Sequence, residues 1–309
     1  MKLFVTGATG VVGRPAVRGL VEAGHEVRAV ARRPEAAEEL RASGAEPVSV
    51  DLFDTRAVVE AVEGCEGIAH LATHVPALGQ MVRPSAWSMH NKLRTDATRA
   101  LVEAARTHGV TAFVKESITF MYADGGDRWL DEDAPLQSNL GMLAPTKEGE
   151  DLALALGGPD VRAVVLRFGS FYGGRGNRGT DEALKLAHIR SSTVLGRGSQ
   201  YISTIHADDA GTAVVAAVGA PSGIFNVVDD EPLTKRAYLD VFAEAMGTGR
   251  LHPVPALVPG AAARALGTSQ RVSNRKLRAT TGWKPAYPSA REGWAEVATT
   301  RRAAESARG

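Results

Sequence analysis

The sequence predicts an α/β fold with a doubly wound parallel sheet and a smaller C-terminal domain. Three observations support this prediction. Short β-branched segments alternate with longer helical stretches in the first half of the chain, three glycines follow the first segment at the spacing G-x-x-G-x-x-G, and the alternation loosens after Gly169. Such alternation is typical of a parallel sheet with helices on both faces.

Hydrophobic periodicity assigns the strands and helices in order. The predicted strands are 3–5, 25–30, 47–50, 67–72, 111–116 and 161–168, and the predicted helices are 11–23, 35–42, 55–62, 92–108 and 145–156. We therefore predict a sheet domain over residues 1–168, to which segments around 201–228 return. Residues 169–309 are predicted to form mainly a substrate-binding domain.

The composition limits the classes of partner. The chain has 309 residues, of which 44% are hydrophobic, enough for a large core. Its 36 basic and 35 acidic side chains are spread along the chain and give a net charge of +1, so we expect neither nucleic acid nor membrane as a partner. Cys65 is the single cysteine and no apolar run is long enough to cross a bilayer. We therefore expect a cytoplasmic protein that binds a small-molecule substrate and no metal.

The glycine spacing predicts a dinucleotide-binding loop of the Rossmann type. Gly7 allows a tight turn after the first strand, Gly10 lets the backbone approach a pyrophosphate, and Gly13 allows close packing of the following helix. The free N–H groups at the start of that helix favour an anion. We predict that this loop binds the pyrophosphate of a nicotinamide dinucleotide. Its other predicted cofactor-binding residues are Thr9, Val11 and Val12.

The end of the second strand predicts which nicotinamide cofactor binds. An acidic side chain there accepts hydrogen bonds from the ribose of NAD, whereas arginine pairs with the 2′-phosphate of NADP. This strand ends in Arg32 and Arg33 without an acid, which favours NADP over NAD, unless both arginines are only solvated loop charges. Asp51 and Leu52, after the third strand, are expected beside the adenine, although Asp51 could instead cap the next helix.

Several separated motifs resemble the extended short-chain dehydrogenase/reductase family of nucleotide-sugar epimerases, dehydratases and related reductases. The motifs are TGATGVVG at 6–13, DLFD at 51–54, HLAT at 70–73, LRFGSFYGG at 166–174, HADDA at 206–210, FNVVDDEPLT at 225–234 and the closing segment 273–294. The resemblance implies an active site between the Rossmann sheet and a C-terminal substrate domain. It also implies a homodimer formed through the helices near 92–108 and 145–156. It adds Leu71, Ala72, Thr73 and Phe168 to the predicted cofactor-binding residues.

The catalytic motif departs from the family pattern. The resemblance implies a serine or threonine near the end of the fifth strand and a Y-x-x-x-K pair, in which the tyrosine transfers a proton and the lysine binds the nicotinamide ribose. Here Ile118 stands at the hydroxyl position, between Ser117 and Thr119, and Leu143 replaces the tyrosine. Lys147 is retained and is expected to bind the ribose. A leucine has no proton to donate.

Other residues could replace the missing acid. Tyr122, His74 and either Glu116 or Thr119 are candidates, and each also has a purely structural interpretation. We predict Ser117, Thr119, Tyr122 and Lys147 as catalytic residues. His74, Tyr122 and Arg175 are predicted to contact the substrate.

Two functions remain open from the sequence. The first is an NADP-dependent oxidoreductase, or an epimerase or dehydratase, that acts on a hydroxyl or carbonyl with a non-standard acid/base group. The second is a dinucleotide-binding protein of the same fold without hydride chemistry, either a sensor or a non-redox catalyst. Bound cofactor that changes redox state when carbonyl compounds are added would favour the first.

Overall fold

A parallel sheet of seven strands forms the centre of the computed structural model, which describes residues 1–76, 80, 83–254 and 267–306. In chain order the strands are β1 (Lys2–Thr6), β2 (Glu26–Val30), β3 (Glu46–Val48), β4 (Gly67–His70), β5 (Ala112–Ile118), β6 (Trp129–Leu130), β7 (Arg162–Phe168), β8 (Ser170–Tyr172), β9 (Tyr201–Ile202), β10 (Thr204–His206), β11 (Gly223–Val227), β12 (Leu233–Thr234) and β13 (Arg271–Val272). The order in the main sheet is β3-β2-β1-β4-β5-β7-β11, and every pair in it is parallel. This is the predicted Rossmann sheet, with its order reversing between β1 and β4.

The helices cover both faces of this sheet. They are α1 (Gly13–Glu22), α2 (Pro34–Ala42), α3 (Thr55–Val62), α4 (Ser88–Arg94), α5 (Asp96–His108), α6 (Ala144–Leu154), α7 (Arg178–His188), α8 (Ala207–Ala217), α9 (Lys235–Met246), α10 (Arg275–Thr281) and α11 (Ala290–Ser306). Apolar residues of α1 and α8 pack in one core cluster and those of α3 and α5 in a second. Burial on both faces explains why the strands read as continuous apolar runs.

The C-terminal half contributes a separate core. Trp294 of α11 is surrounded by Tyr172, Tyr238 and Phe242, whose ring centroids lie 5.2, 6.2 and 4.6 Å from its own. These rings form the third apolar cluster together with residues of α7 and α9. In the same half of the chain, strand β11 pairs with β7 at the edge of the main sheet, and α8 packs near α1. The C-terminal half therefore adds both a core of its own and part of the main sheet.

The helix predicted over 92–108 is two helices in the structure. α4 ends at Arg94 and α5 begins at Asp96, with Thr95 between them at φ −108° and ψ −68°. The Thr95 hydroxyl donates a hydrogen bond to the Asn91 carbonyl oxygen over 3.1 Å. A threonine that bonds back to the preceding turn bends a helix. The break at Thr95 is the physical reason why one periodic stretch forms two helices.

A buried ionic network attaches α6 to the sheet. Glu150 of α6 accepts two hydrogen bonds from Arg167 of β7, at 2.8 and 2.7 Å, and one from the Ser117 hydroxyl of β5 at 2.6 Å. The Glu150 and Arg167 side chains are 1% and 3% exposed. Arg167 also donates to the Tyr122 hydroxyl. Because both side chains are removed from water, each charge is stabilised by the opposite charge of its partner.

Replacing Arg167 by methionine is expected to lower the free energy of unfolding by roughly 3–5 kcal/mol, since the Glu150 carboxylate would stay buried without its counter-ion. Urea denaturation monitored by circular dichroism measures this loss. The matched control is Arg56→Met, because Arg56 pairs with Glu60 on the exposed surface of α3. That pair is screened by water and is expected to contribute little to stability. Equal losses in the two variants would contradict the assigned role of the network.

Candidate functional site

The glycine loop lies against the end of β4. Gly7 has a φ of +69°, which the predicted tight turn requires. A Cβ on Gly7 would lie 2.6 Å from the backbone of Leu71 and Ala72, and one on Gly13 would lie 2.0 Å from the Gly7 carbonyl oxygen. No side chain fits at either position. The loop therefore packs backbone against backbone between β1, β4 and the start of α1.

The N-terminus of α1 is suited to an anion. Val12 precedes the helix, no side chain caps it, and no acidic residue lies in its first turn. The first N–H groups of an uncapped helix lack intrahelical acceptors and carry positive partial charge. Gly10 is exposed in front of this end, and Thr9 and Val11 are half-buried beside it. The residues present thus fit a dinucleotide pyrophosphate.

Two exposed arginines follow the end of β2. Arg32 and Arg33 are exposed, and neither guanidinium has a hydrogen bond or ion pair within the described ranges. Asp51, after β3, is also exposed, and its carboxylate accepts from the Phe53 N–H over 3.0 Å. Asp54, not Asp51, caps α3. Leu52 is half-buried against the second core cluster.

The end of β4 carries a buried histidine that sequence reasoning missed. His70 Nε2 lies 3.1 Å from the Leu93 carbonyl oxygen, which can only accept, so Nε2 carries the proton and Nδ1 accepts from the Thr6 hydroxyl at 2.7 Å. Burial, with a contribution from the Lys115 charge, holds the pKa of His70 well below its usual range. His70 is therefore a neutral link between β1 and α4. The signal for its burial was its place in a strand whose residues are all buried.

The predicted cofactor residues that follow β4 differ in exposure. Leu71 and Ala72 are buried against the glycine loop, whereas Thr73 and His74 are exposed. The Thr73 hydroxyl lies 3.5 Å from His90 Nδ1. Burial lowers the pKa of His90 to about 3. The structure thus brings the β4 end, the glycine loop and α4 together.

Apolar side chains meet at the two positions where the family resemblance implies catalytic hydroxyls. Leu143 is 5% exposed and packs in one apolar cluster with Met121. Ile118, at the end of β5, packs against the same cluster, together with Phe120, Leu136 and Leu140. An apolar cluster can neither donate nor accept a proton. Positions 118 and 143 therefore lie at the same apolar cluster, and neither side chain can donate or accept a proton.

The predicted catalytic residues next to this cluster have different partners. The Ser117 hydroxyl donates to Glu150 and belongs to the buried network. Thr119 is fully buried, and its hydroxyl has no hydrogen-bond partner in the described part of the chain. The Lys147 ammonium lies 2.5 Å from Asp151 on the outer side of α6, and its side chain is 35% exposed. The inner face of that helix is formed instead by Thr146, Gly149, Glu150 and Ala153.

Tyr122 is fixed in the interior. Its ring is fully buried, and its hydroxyl donates to Asn226 over 2.8 Å and accepts from Arg167 over 3.0 Å. Burial raises the pKa of Tyr122 to about 12, against the opposing effect of the Arg167 charge. The hydroxyl therefore has both its partners inside the protein and holds its proton tightly.

Glu116 is held by a buried arginine. The Arg94 guanidinium contacts both carboxylate oxygens of Glu116, at 3.1 and 2.5 Å, and donates to its carbonyl oxygen at 2.6 Å. The Lys115 ammonium donates to the same carbonyl oxygen over 2.9 Å. Burial, followed by the Arg94 charge, lowers the pKa of Lys115 to about 7. The burial of Arg94 could not be predicted from its residue type, because arginine is usually exposed.

The last two predicted residues lie apart from this region. Phe168 is fully buried in the first core cluster, with its ring centroid 5.4 Å from that of Phe171. Arg175 is exposed in the loop after β8, and its charge helps to lower the pKa of Glu39 of α2. The residues described contain no group of three His, Cys, Asp or Glu side chains that could hold a metal ion. In the same part of the chain no helix is long and apolar enough to span a membrane.

Solved structures share this architecture. A human epimerase family protein with NADPH superimposes with a TM-score of 0.82 at 23% identity and covers 97% of this chain and 99% of its own. UDP-glucose 4-epimerase of Thermus thermophilus with NAD gives 0.78 at 24% identity, over 98% of this chain and all of its own. Because both sequence identities are below 25%, this structural similarity shows the fold alone.

The sequence comparisons show the family as well as the fold. 3-diazoavenalumate denitrifying reductase of a Streptomyces species is 34% identical over 310 residues, 95% of this chain and 99% of the relative. A 4-hydroxy-2-methyl-3-oxo-4-farnesyl-3,4-dihydroquinoline-1-oxide ketoreductase of Stigmatella aurantiaca is 28% identical over 252 residues, 80% of this chain and 74% of the relative. The model of the NAD dependent epimerase/dehydratase family matches residues 3–227. The chain therefore belongs to this family, within the extended short-chain dehydrogenases/reductases.

Proposed function

We propose that the protein is an NADP-dependent reductase that delivers a hydride to a small organic substrate without a side-chain proton relay. This narrows the oxidoreductase, epimerase or dehydratase activity that the sequence predicts. The glycine loop and the uncapped α1 would hold the pyrophosphate, and Arg32 with Arg33 would face the 2′-phosphate. When bound, the reduced cofactor supplies the hydride.

The observation that carries this proposal is the apolar cluster of Ile118 and Leu143. Both positions that would carry catalytic hydroxyls are aliphatic and pack together. One candidate acid, Tyr122, is engaged elsewhere, since its hydroxyl bonds Asn226 and Arg167. Glu116 is held by Arg94 in the same way. The site could therefore bind and orient a substrate, but neither of the two relay positions offers an acid.

Whether a site without a general acid can catalyse the reduction depends on the substrate. Reduction of a ketone forms a C–H bond and an alkoxide, which must gain a proton, and a general acid typically accelerates this about 10²–10⁴-fold. A carbon that carries a diazonium group needs no proton. It accepts the hydride, forms the C–H bond, and loses N₂, which leaves with the electron pair of the broken C–N bond. The positive charge of the substrate and the negative charge of the hydride cancel.

A relative of known activity supports this substrate class. The name of the Streptomyces protein describes reduction of a diazo compound with loss of nitrogen, and its similarity extends over nearly the full length of both chains. We infer that this chain reduces an electron-poor carbon of the same kind. The alternative is a dinucleotide-binding protein without hydride chemistry, and the apolar cluster is compatible with it as well.

The source of the new hydrogen tests the proposal. With NADPH deuterated at the transferable position and an arenediazonium salt, we expect deuterium at the carbon that lost nitrogen, by mass spectrometry. With unlabelled NADPH in D₂O we expect none.

Gly13→Val is the control for this experiment, because any Cβ at residue 13 would strike the Gly7 carbonyl oxygen and disrupt the cofactor loop. Its rate measures the uncatalysed background. Solvent deuterium in the product, or faster turnover of ketones than of diazonium salts, would contradict the proposal. Cofactor binding without consumption by either class would favour the sensor function.

The preference for NADP is tested at the end of β2. Desolvated hydrogen bonds between arginine and phosphate predict that NADP binds about tenfold or more tightly than NAD. Arg32→Asp should abolish or reverse this preference, measured by isothermal titration calorimetry with both cofactors. Arg41→Asp is the matched control, since it makes the same charge change at the other end of α2. Equal affinities of the wild-type protein for both cofactors would contradict the assignment.

We also propose a homodimer formed through α5 and α6. The apolar residues Ala100, Leu101 and Ala104 are buried in the protein's own core, so the outer face of these helices is polar and includes the Arg99–Glu148 ion pair. A dimer through this face should weaken as salt rises, because exposed charges are screened. Light scattering at low and high ionic strength measures this, and a monomer in both would contradict it.

A further inference from the structure

Arg14, in the first turn of α1, is held by a carboxylate of α2. Its Nε donates to Glu39 Oε1 over 2.5 Å and its Nη2 to Glu39 Oε2 over 3.3 Å. The two side chains are 31% and 35% exposed. A two-point contact of this kind fixes the plane of the guanidinium. It leaves Nη1 without a hydrogen-bond partner in the described part of the chain.

A loop from the C-terminal half covers this arginine. Gly173, Gly174 and Gly176 have φ values of +68°, +74° and +73°, which allow the chain to turn sharply after β8. A Cβ on Gly176 would lie 3.2 Å from Arg14 Nη1. The hydrogen bond from Arg14 holds the pKa of Glu39 below its usual range, and the positive charges of Arg14 and Arg175 add to this effect. Glu39 is therefore a carboxylate that contacts Arg14 and is also stabilised by the charge of Arg175.

The position of this group in the sheet points to a ligand. α1 follows β1 and α2 follows β2, and in a Rossmann sheet the adenosine ribose lies at the ends of these two strands. Arg32 and Arg33 open the same β2–α2 connection. Arg14 and its partner Glu39 therefore lie beside the helix that Arg32 and Arg33 precede, and the guanidinium groups without a partner among the described residues favour an anion there in addition to the pyrophosphate.

We propose that Arg14 and Arg175, aligned by Glu39, bind the 2′-phosphate of the cofactor together with the arginines after β2. Arg14 would donate through its free Nη1, and Arg175 would approach from the opposite side. The inference rests on the proposed preference for NADP and adds to it a contact from the C-terminal half. Glu39 is a positioning residue, because it acts on the ligand only through Arg14.

The test uses two fragments that lack the nicotinamide, so that it does not depend on activity. We expect the wild-type protein to bind 2′,5′-ADP about tenfold or more tightly than 5′-ADP in calorimetric titrations. Arg14→Ala and Arg175→Ala should each reduce that ratio severalfold, chiefly through weaker binding of 2′,5′-ADP. Glu39→Gln should reduce it less, because the amide still accepts one hydrogen bond. Arg18→Ala, one turn further along α1 and paired with Asp208, is the matched control and should keep the ratio.

Each outcome separates the two proposals. Equal wild-type affinity for both fragments would overturn the NADP preference and this inference with it. A wild-type preference that both alanine variants retain in full would overturn this inference alone. If Arg14→Ala weakens both fragments equally, Arg14 contacts the shared diphosphate, and the assignment to the 2′-phosphate is wrong. Thermal melting of each variant confirms that it is folded before titration.

Discussion

Backbone-on-backbone packing in the glycine loop is the constraint on which the whole site depends. The space that a Cβ would need at Gly7 and Gly13 is already taken, by the end of β4 and by the loop's own carbonyl. Any side chain at these positions would push α1 away from the sheet. Because β4 neighbours both β1 and β5, the same packing brings the uncapped end of α1 to the edge where β5 ends. The proposed pyrophosphate position and the proposed reaction site would therefore both depend on this one contact.

Most buried charged residues near this edge connect helices to the sheet. Glu150 and Arg167 attach α6 to the sheet, and Arg94 with Glu116 attaches the end of α4 to β5. Desolvated ions need close partners, so these groups are unavailable as free acids or bases. At the two positions where the family resemblance implies a proton relay, the chain has the aliphatic side chains of Ile118 and Leu143. Such a site would depend on the reactivity of the substrate itself. The family resemblance implies that other members use a tyrosine as the proton donor.

The order of strands and helices in the Rossmann part was predictable, because each element has its own periodicity and each turn its own glycine or proline. The break at Thr95 was not, because it depends on one side-chain hydrogen bond to the preceding turn. The prediction that Leu143 replaces the family's tyrosine also came from the sequence. The close packing of Leu143 with Met121 and Ile118 could not be predicted, since these residues lie on different elements.

The sequence by itself determined the α/β fold, the glycine turn and the arginines that follow β2, because these are encoded by local spacing and residue type. The tertiary structure decided which charges pair. Ser117 meets Glu150, and Arg14 meets Glu39 beside the loop of Arg175, only because the sheet order and the helix packing bring distant segments together. Residue type alone does not distinguish a solvated arginine from a buried one. The cost of burying a charge, which depends on its neighbours in space, makes that distinction.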